Sequence, residues 1–192
     1  PKPSETGLTE IYEAPAEANG YGVRGMDIDR NGVVWVSLSS GHLGSFDRRK
    51  CKVLNGPTAT GKHCPEGWTL HQFPGPQFEN VMEGGSAEAS YYTWVDQFDT
   101  FGLGKNVPIA TGNMNDSLLA LVEGKFVTLR VPYPMGFYAK WMDGRIDNPK
   151  AGWKGKGLWS TYASRAPFHM EGGKGTRPKV YKFQLRPDPL AK

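Results

Sequence analysis

A strand-like run that closes on proline recurs four times along the chain, and no other feature limits the fold so strongly. The four runs are Thr9 to Pro15 (TEIYEAP), Trp68 to Pro74 (WTLHQFP), Phe126 to Pro132 (FVTLRVP) and Val180 to Pro187 (VYKFQLRP). Each alternates β-branched or aromatic residues with polar ones, the period of a half-buried strand. The closing prolines stand 59, 58 and 55 residues apart. Proline is tolerated at a strand end because no further ladder donor is needed there.

A second element falls between these runs. Trp35, Trp94 and Trp159 sit in VVWVSL, YTWVDQ and GLWSTY, spaced by 59 and 65 residues. The first run follows Asn31-Gly32, with MDID before it and VVWV after it. That arrangement predicts a two-residue hairpin, because both turn positions can take positive φ. Asp143-Gly144 precedes the third run, but an insertion, RIDNPKAGWKGKG, intervenes before Leu158.

The repeating unit is therefore roughly 55–60 residues, built from about four short strands, a period that points to a propeller blade. With 25 Gly and 15 Pro in 192 residues, helical repeats are excluded. The expected fold is all-β, a β-propeller of four-stranded antiparallel blades with about three blades present. The blades are placed at 16–74, 75–132 and 133–187, with 9–15 as the outer strand of a preceding or closing blade. The recurring Trp is expected as a wedge between adjacent blades. Three blades do not close a ring of ordinary geometry, so another copy, another chain or residues outside this sequence are expected to complete it.

The stretch LTEIYEAP…GVRGMDIDRNGVVWVSLSSGHLGSFDRR resembles the repeat of the streptogramin (virginiamycin B) lyases. There a strand of the kind ITEYPLP leads into GIAxGPDGNLWFTE and then NKIGRID. Here TEIYEAP leads into GMDIDRNGVVWVSL and GHLGSFD. The resemblance is clear in the first repeat, looser in the second and interrupted in the third. It implies a six-bladed propeller, of which this chain is about half, in an extracytoplasmic bacterial protein. It extends more distantly to gluconolactonase-like propellers.

The resemblance also implies a catalytic pair, a His before the repeat's Gly and a Glu after its Trp, working with magnesium. This sequence departs from that pattern. Arg24 precedes Gly25 and Leu38 stands three after Trp35; Glu83 and Gln97 occupy the same places in the second repeat, and Tyr162 in the third. The base that elimination requires is missing, so the leading expectation is a ligand- or protein-binding or scaffold propeller. The alternative is a metal-dependent lactonase or lyase on small cyclic esters. Its candidate oxygen ligands for Ca2+ or Mg2+ are Asp96, Asp99, Asn113, Asn115 and Asp116, which read equally as turn-capping residues. For a site at the channel mouth the repeat register nominates Arg24, Arg145, Asp96 and Asp99.

Other features narrow the choice. The net charge of +4 is mild, and Lys and Arg are scattered rather than striped, which speaks for a solvated surface over a nucleic-acid footprint. The basic, glycine-rich stretches 152–157 and 171–179 lack a P-loop pattern. No run approaches the ~20 apolar residues of a membrane span. The chain opens Pro1-Lys2-Pro3 without Met, which suggests processing or a piece of something longer. His42 reads as a turn residue. Cys51 and Cys64 admit three readings: a disulfide closing a 14-residue ring, two free thiols, or a zinc site with His63 and His71. A disulfide would place the protein in an oxidising compartment, periplasmic or secreted.

Overall fold

The computed structural model describes Glu5, Gly7 and residues 9–76, 86–132, 136–144, 157–162 and 179–185. Its strands form three antiparallel sheets, each connected strand to next strand. The first holds β1 (Val23–Ile28), β2 (Val34–Leu38), β3 (His42–Phe46) and β4 (Trp68–Gln72). The second holds β5 (Thr93–Asp96), β6 (Val107–Gly112), β7 (Ser117–Val122) and β8 (Lys125–Arg130). In the third, β9 (Met142–Asp143), β10 (Leu158–Tyr162) and β11 (Lys179–Phe183) lie side by side. First strand meets first strand between sheets, β1 against β5 and β5 against β9. Sheets that share an inner edge and splay outward are propeller blades.

Pleating explains the cores. Along β7, Leu119 and Leu121 point to the first sheet and join Leu43, Phe73 and Ala110. Leu118 and Ala120, one residue out of phase, point to the third sheet and join Trp94, Ile109, Phe137, Met142, Leu158 and Tyr181. The second sheet is covered on both faces, so its sequence SLLALV is apolar without alternation.

Three local readings differ from the sequence expectation. Trp35 and Trp159 lie on the second strand of their sheets, whereas Trp94 lies on the first strand of its own. Its run satisfies the same aromatic and β-branched pattern, and that pattern does not encode strand order. Next, the β1–β2 turn spans Asp29 to Val33 rather than two residues, and of the Asn31-Gly32 pair only Gly32 takes positive φ, 79°. The Asp29 carboxylate accepts the Asn31 and Val33 amides at 2.8 and 2.9 Å and accepts Trp35 Nε1 at 3.2 Å, so an aspartate-closed turn supplants the tight hairpin. Finally, β11 is the third strand beside β10, not a fourth, and Pro187 lies outside the described residues.

The segment 9–15 forms no strand. It continues through a 3-10 turn at Ala16–Ala18 and crosses the face of the first sheet that turns away from the second. Tyr12 rests on Phe46, with ring centroids 4.7 Å apart, and on His63 at 5.0 Å. Arg48 donates twice to the Glu10 carboxylate, at 2.6 and 2.5 Å. The Glu13 amide donates to the Gly61 carbonyl at 2.9 Å, so its ladder group is spent on the β3–β4 loop and not on a neighbouring strand. In that loop Cys51 and Cys64 are joined as a disulfide, which removes both from any zinc set.

Candidate functional site

Strand direction sorts the loops into two groups. One end of the sheets carries the β2–β3 and β6–β7 turns together with the segments that enter β1, β5 and β9. The other carries the β1–β2 turn, the β5–β6 loop and the long β3–β4 loop with its disulfide. The seam between the first two sheets is polar at the entry end. Ser37 Oγ lies 2.7 Å from Ser90 Oγ and 2.8 Å from Thr93 Oγ1, and Thr111 Oγ1 lies 3.2 Å from Ser90 Oγ. These hydroxyls are buried and satisfy one another, as buried hydroxyls must. The Gly25 amide donates to the Tyr91 carbonyl at 3.0 Å, and Asp27 Oδ2 accepts the Val95 amide at 3.0 Å. A Cβ on Gly25 would stand 2.3 Å from the Tyr92 ring, which is why a glycine occupies that crossing.

On this seam sits a cationic and aromatic cluster. Arg24 donates to the Ser90 carbonyl at 2.8 Å, and its guanidinium carbon stands 4.3 Å from the centre of the Tyr91 ring. Lys140 Nζ stands 5.4 Å from that same ring centre. Tyr138 lies beside Tyr91, with centroids 5.7 Å apart. Burial, together with a hydrogen bond to Tyr91 and the charge shared with it, pushes the Tyr138 hydroxyl up to about 12, against the opposing pull of Arg24. Among the described residues, no carboxylate pairs with Arg24 or Lys140. The arrangement places two cations and two phenols in one patch, suited to holding an anion next to a flat group.

Of the residues nominated from sequence, Arg24 belongs to this cluster. Arg145 lies outside the described residues, as do Glu83, the basic residues of 152–156 and those of 171–178. The five metal candidates do not converge. Asp96 pairs with Val107 at the start of β6, while Asn113, Asn115 and Asp116 follow its other end. Six strand residues separate the two groups, a span of about 20 Å. Each side chain is also already used. Asp96, fully buried, accepts the Phe98 and Thr100 amides on Oδ1 and the Phe101 amide on Oδ2. Asp99 accepts the Gly104 amide. Asn113 donates to the Ala89 and Ala139 carbonyls and accepts the Ala139 amide. Asn115 donates to Glu88 and accepts Ser117 Oγ, and Asp116 accepts the Phe137 amide at 2.7 Å. The donors therefore do not fit a shared Ca2+ or Mg2+; they brace turns. Among the described residues, no group of three His, Cys, Asp or Glu side chains is placed to hold a metal ion. His42 is the first residue of β3 rather than a turn residue; it is buried, and its Nδ1 lies 3.1 Å from Ser40 Oγ.

Sequence reading missed Tyr91, Tyr138 and Lys140. A signal for the tyrosines was present. Arg24, Tyr91 and Tyr138 each stand five residues before an aspartate, Asp29, Asp96 and Asp143, at the end of the first strand of each sheet or one residue beyond it. Alignment on the aspartates instead of the tryptophans brings the three positions into register. Glu88 was also missed. It is buried and accepts the Ala89 amide, the Met114 amide and Asn115 Nδ2 at 2.8–2.9 Å. Burial pushes its carboxyl up, opposed by the backbone amides of Met114, Ala89 and Asn113. It borders a cavity of about 310 Å³ that also meets Pro74, Met114 and Arg130.

No family model and no curated protein matches this sequence. Two solved structures are similar to it. One is a catalytically inactive virginiamycin B lyase from Staphylococcus aureus with quinupristin, with TM-score 0.43 and 15% identity over 87% of this chain and 42% of that one. The other is a streptogramin B lyase, with TM-score 0.46 and 14% identity over 88% of this chain and 42% of that one. The chain is thus similar to streptogramin B lyase structures and spans less than half of their length.

Proposed function

We propose that the chain is the ligand-binding part of an extracytoplasmic bacterial β-propeller, and that its ligand presents a negative charge beside a flat apolar group. One observation carries the reading: Arg24 and Lys140 share the Tyr91 ring, and among the described residues no carboxylate pairs with either. An uncompensated pair of cations on an aromatic platform attracts a carboxylate or phosphate, and the ring adds a face for stacking. The Cys51–Cys64 disulfide supports an oxidising compartment. Another copy or another chain would supply the remaining blades of the ring.

Calorimetric titration with an aromatic carboxylate such as benzoate, and with a phenyl phosphate, tests the reading. Binding should weaken with added salt, and weaken at least several-fold in Arg24→Gln and in Lys140→Gln. Binding that is indifferent to both substitutions, or no binding at all, would remove it.

A further inference from the structure

The cavity that Glu88 borders lies at the end of the sheets where β4 and β8 finish, and none of its lining belongs to the Arg24 cluster. Pro74, Pro76, Ala87 and Met114 give it apolar walls, and its volume of about 310 Å³ suits a small molecule. Glu88 is 6% exposed. Its Oε1 accepts the Ala89 and Met114 amides at 2.9 and 2.8 Å, and its Oε2 accepts Asn115 Nδ2 at 2.9 Å. These donors are all neutral, and among the described residues no cation pairs with Glu88. Arg130 lines the same cavity. It donates to the Asn115 carbonyl at 3.3 Å, and among the described residues no carboxylate pairs with it. Asn115 thus holds the carboxylate with its side-chain amide and the guanidinium with its main chain, so the two charges border one cavity without forming an ion pair.

We propose that this cavity is a second binding site and that its ligand is a small amino acid, with the ammonium on Glu88, the carboxylate on Arg130 and the hydrocarbon against the proline and methionine walls. A buried carboxylate held by neutral dipoles alone lacks a counter-charge, and a bound ammonium supplies one. Burial already pushes the Glu88 carboxyl up, an effect that an incoming cation offsets. The neutral donors fix the carboxylate before any ligand arrives, so little order remains to be imposed on binding. Arg130 decides between an amine and an amino acid. Its charge repels a simple amine, whereas its planar fork takes a carboxylate through two parallel hydrogen bonds. A simple carboxylate, in turn, brings a negative charge towards Glu88. The site therefore favours a molecule that carries both charges on a short apolar body, and this reading stands apart from the ligand proposed for the Arg24 cluster.

Calorimetric titration of the chain with L-leucine, 5-aminopentanoate, pentylamine and pentanoate tests the proposal. Leucine carries its two charges on one carbon and 5-aminopentanoate at its two ends, so the pair also reads the spacing the site accepts. At least one of them should bind, about tenfold or more tightly than pentylamine and pentanoate. Glu88→Gln should weaken that binding by roughly thirtyfold or more, and Arg130→Gln by about several-fold. Thr128 lines the cavity from an exposed position of β8, where an aromatic residue is tolerated. Thr128→Phe should therefore block binding with the sheet intact, even if Glu88→Gln fails to fold. Arg24→Gln should leave amino-acid binding unchanged. The proposal is overturned if neither amino acid binds at millimolar concentration, if pentylamine or pentanoate binds as tightly, if Thr128→Phe binds like the native chain, or if Arg24→Gln abolishes binding.

Discussion

The guanidinium of Arg24 lies 4.3 Å above the ring of Tyr91, although Arg24 is on β1 and Tyr91 stands far along the chain, on the segment that enters β5. The contact sits on the seam where β1 meets β5 and adds to the Arg24–Ser90 hydrogen bond there. Arg24→Gln should cost roughly 1–2 kcal/mol of stability, the sum of one charge-assisted hydrogen bond and one exposed cation–π contact. Arg24→Lys should recover part of it, because an ammonium keeps the charge but not the flat stacking surface. Urea midpoints of the three proteins decide the order.

Acid should loosen the segment 9–15 before the sheets. The Arg48 guanidinium beside Glu10 holds that carboxyl down at about 2, below its ordinary 4.5. A depressed carboxyl stabilises the fold above its unfolded value, and the contribution is lost as pH falls from about 4.5 towards 2. Protection of the Glu13 amide, which donates to the Gly61 carbonyl, should fall across that window. In Glu10→Gln that amide should show no such step.

Asp96 is a turn brace, and its removal should be felt as instability. Three amides, Phe98, Thr100 and Phe101, lose their acceptor in Asp96→Ala. With the site buried, the expected loss is about 2–4 kcal/mol, with Asp96→Asn in between. Thermal melts with and without added calcium check this, and the loss should be independent of the cation.

Both faces of the second sheet are core. Leu119→Ala and Leu118→Ala should each cost about 2–5 kcal/mol, one by opening the seam with the first sheet and the other with the third. Val180 of β11 is 68% exposed, and Val180→Ala should stay within about 0.5 kcal/mol.

The sheets were legible in the sequence because alternation is imposed by the pleat itself. TEIYEAP shows the limit of that signal. Its alternation is real, since Tyr12 turns in and Ile11 is 63% exposed, yet it reflects packing on a face and not a ladder. The Trp spacing misled in the same way, because a buried aromatic is demanded by the core on any strand. The Arg24 position could be found because it lies within the first repeat. Its partners come from entry segments of other sheets, and only topology brings Tyr91, Tyr138 and Lys140 to it. The metal candidates clustered in sequence but were divided by the length of β6, a distance that residue types do not reveal.

The hydroxyl contacts of Ser37, Ser90, Thr93 and Thr111 have a geometric consequence. Apolar surfaces slide over one another at little cost, whereas hydrogen bonds of 2.7–3.2 Å fix direction as well as distance. Those four side chains index the tilt of the first sheet on the second. Changing them should leave each sheet folded and alter the angle between the two.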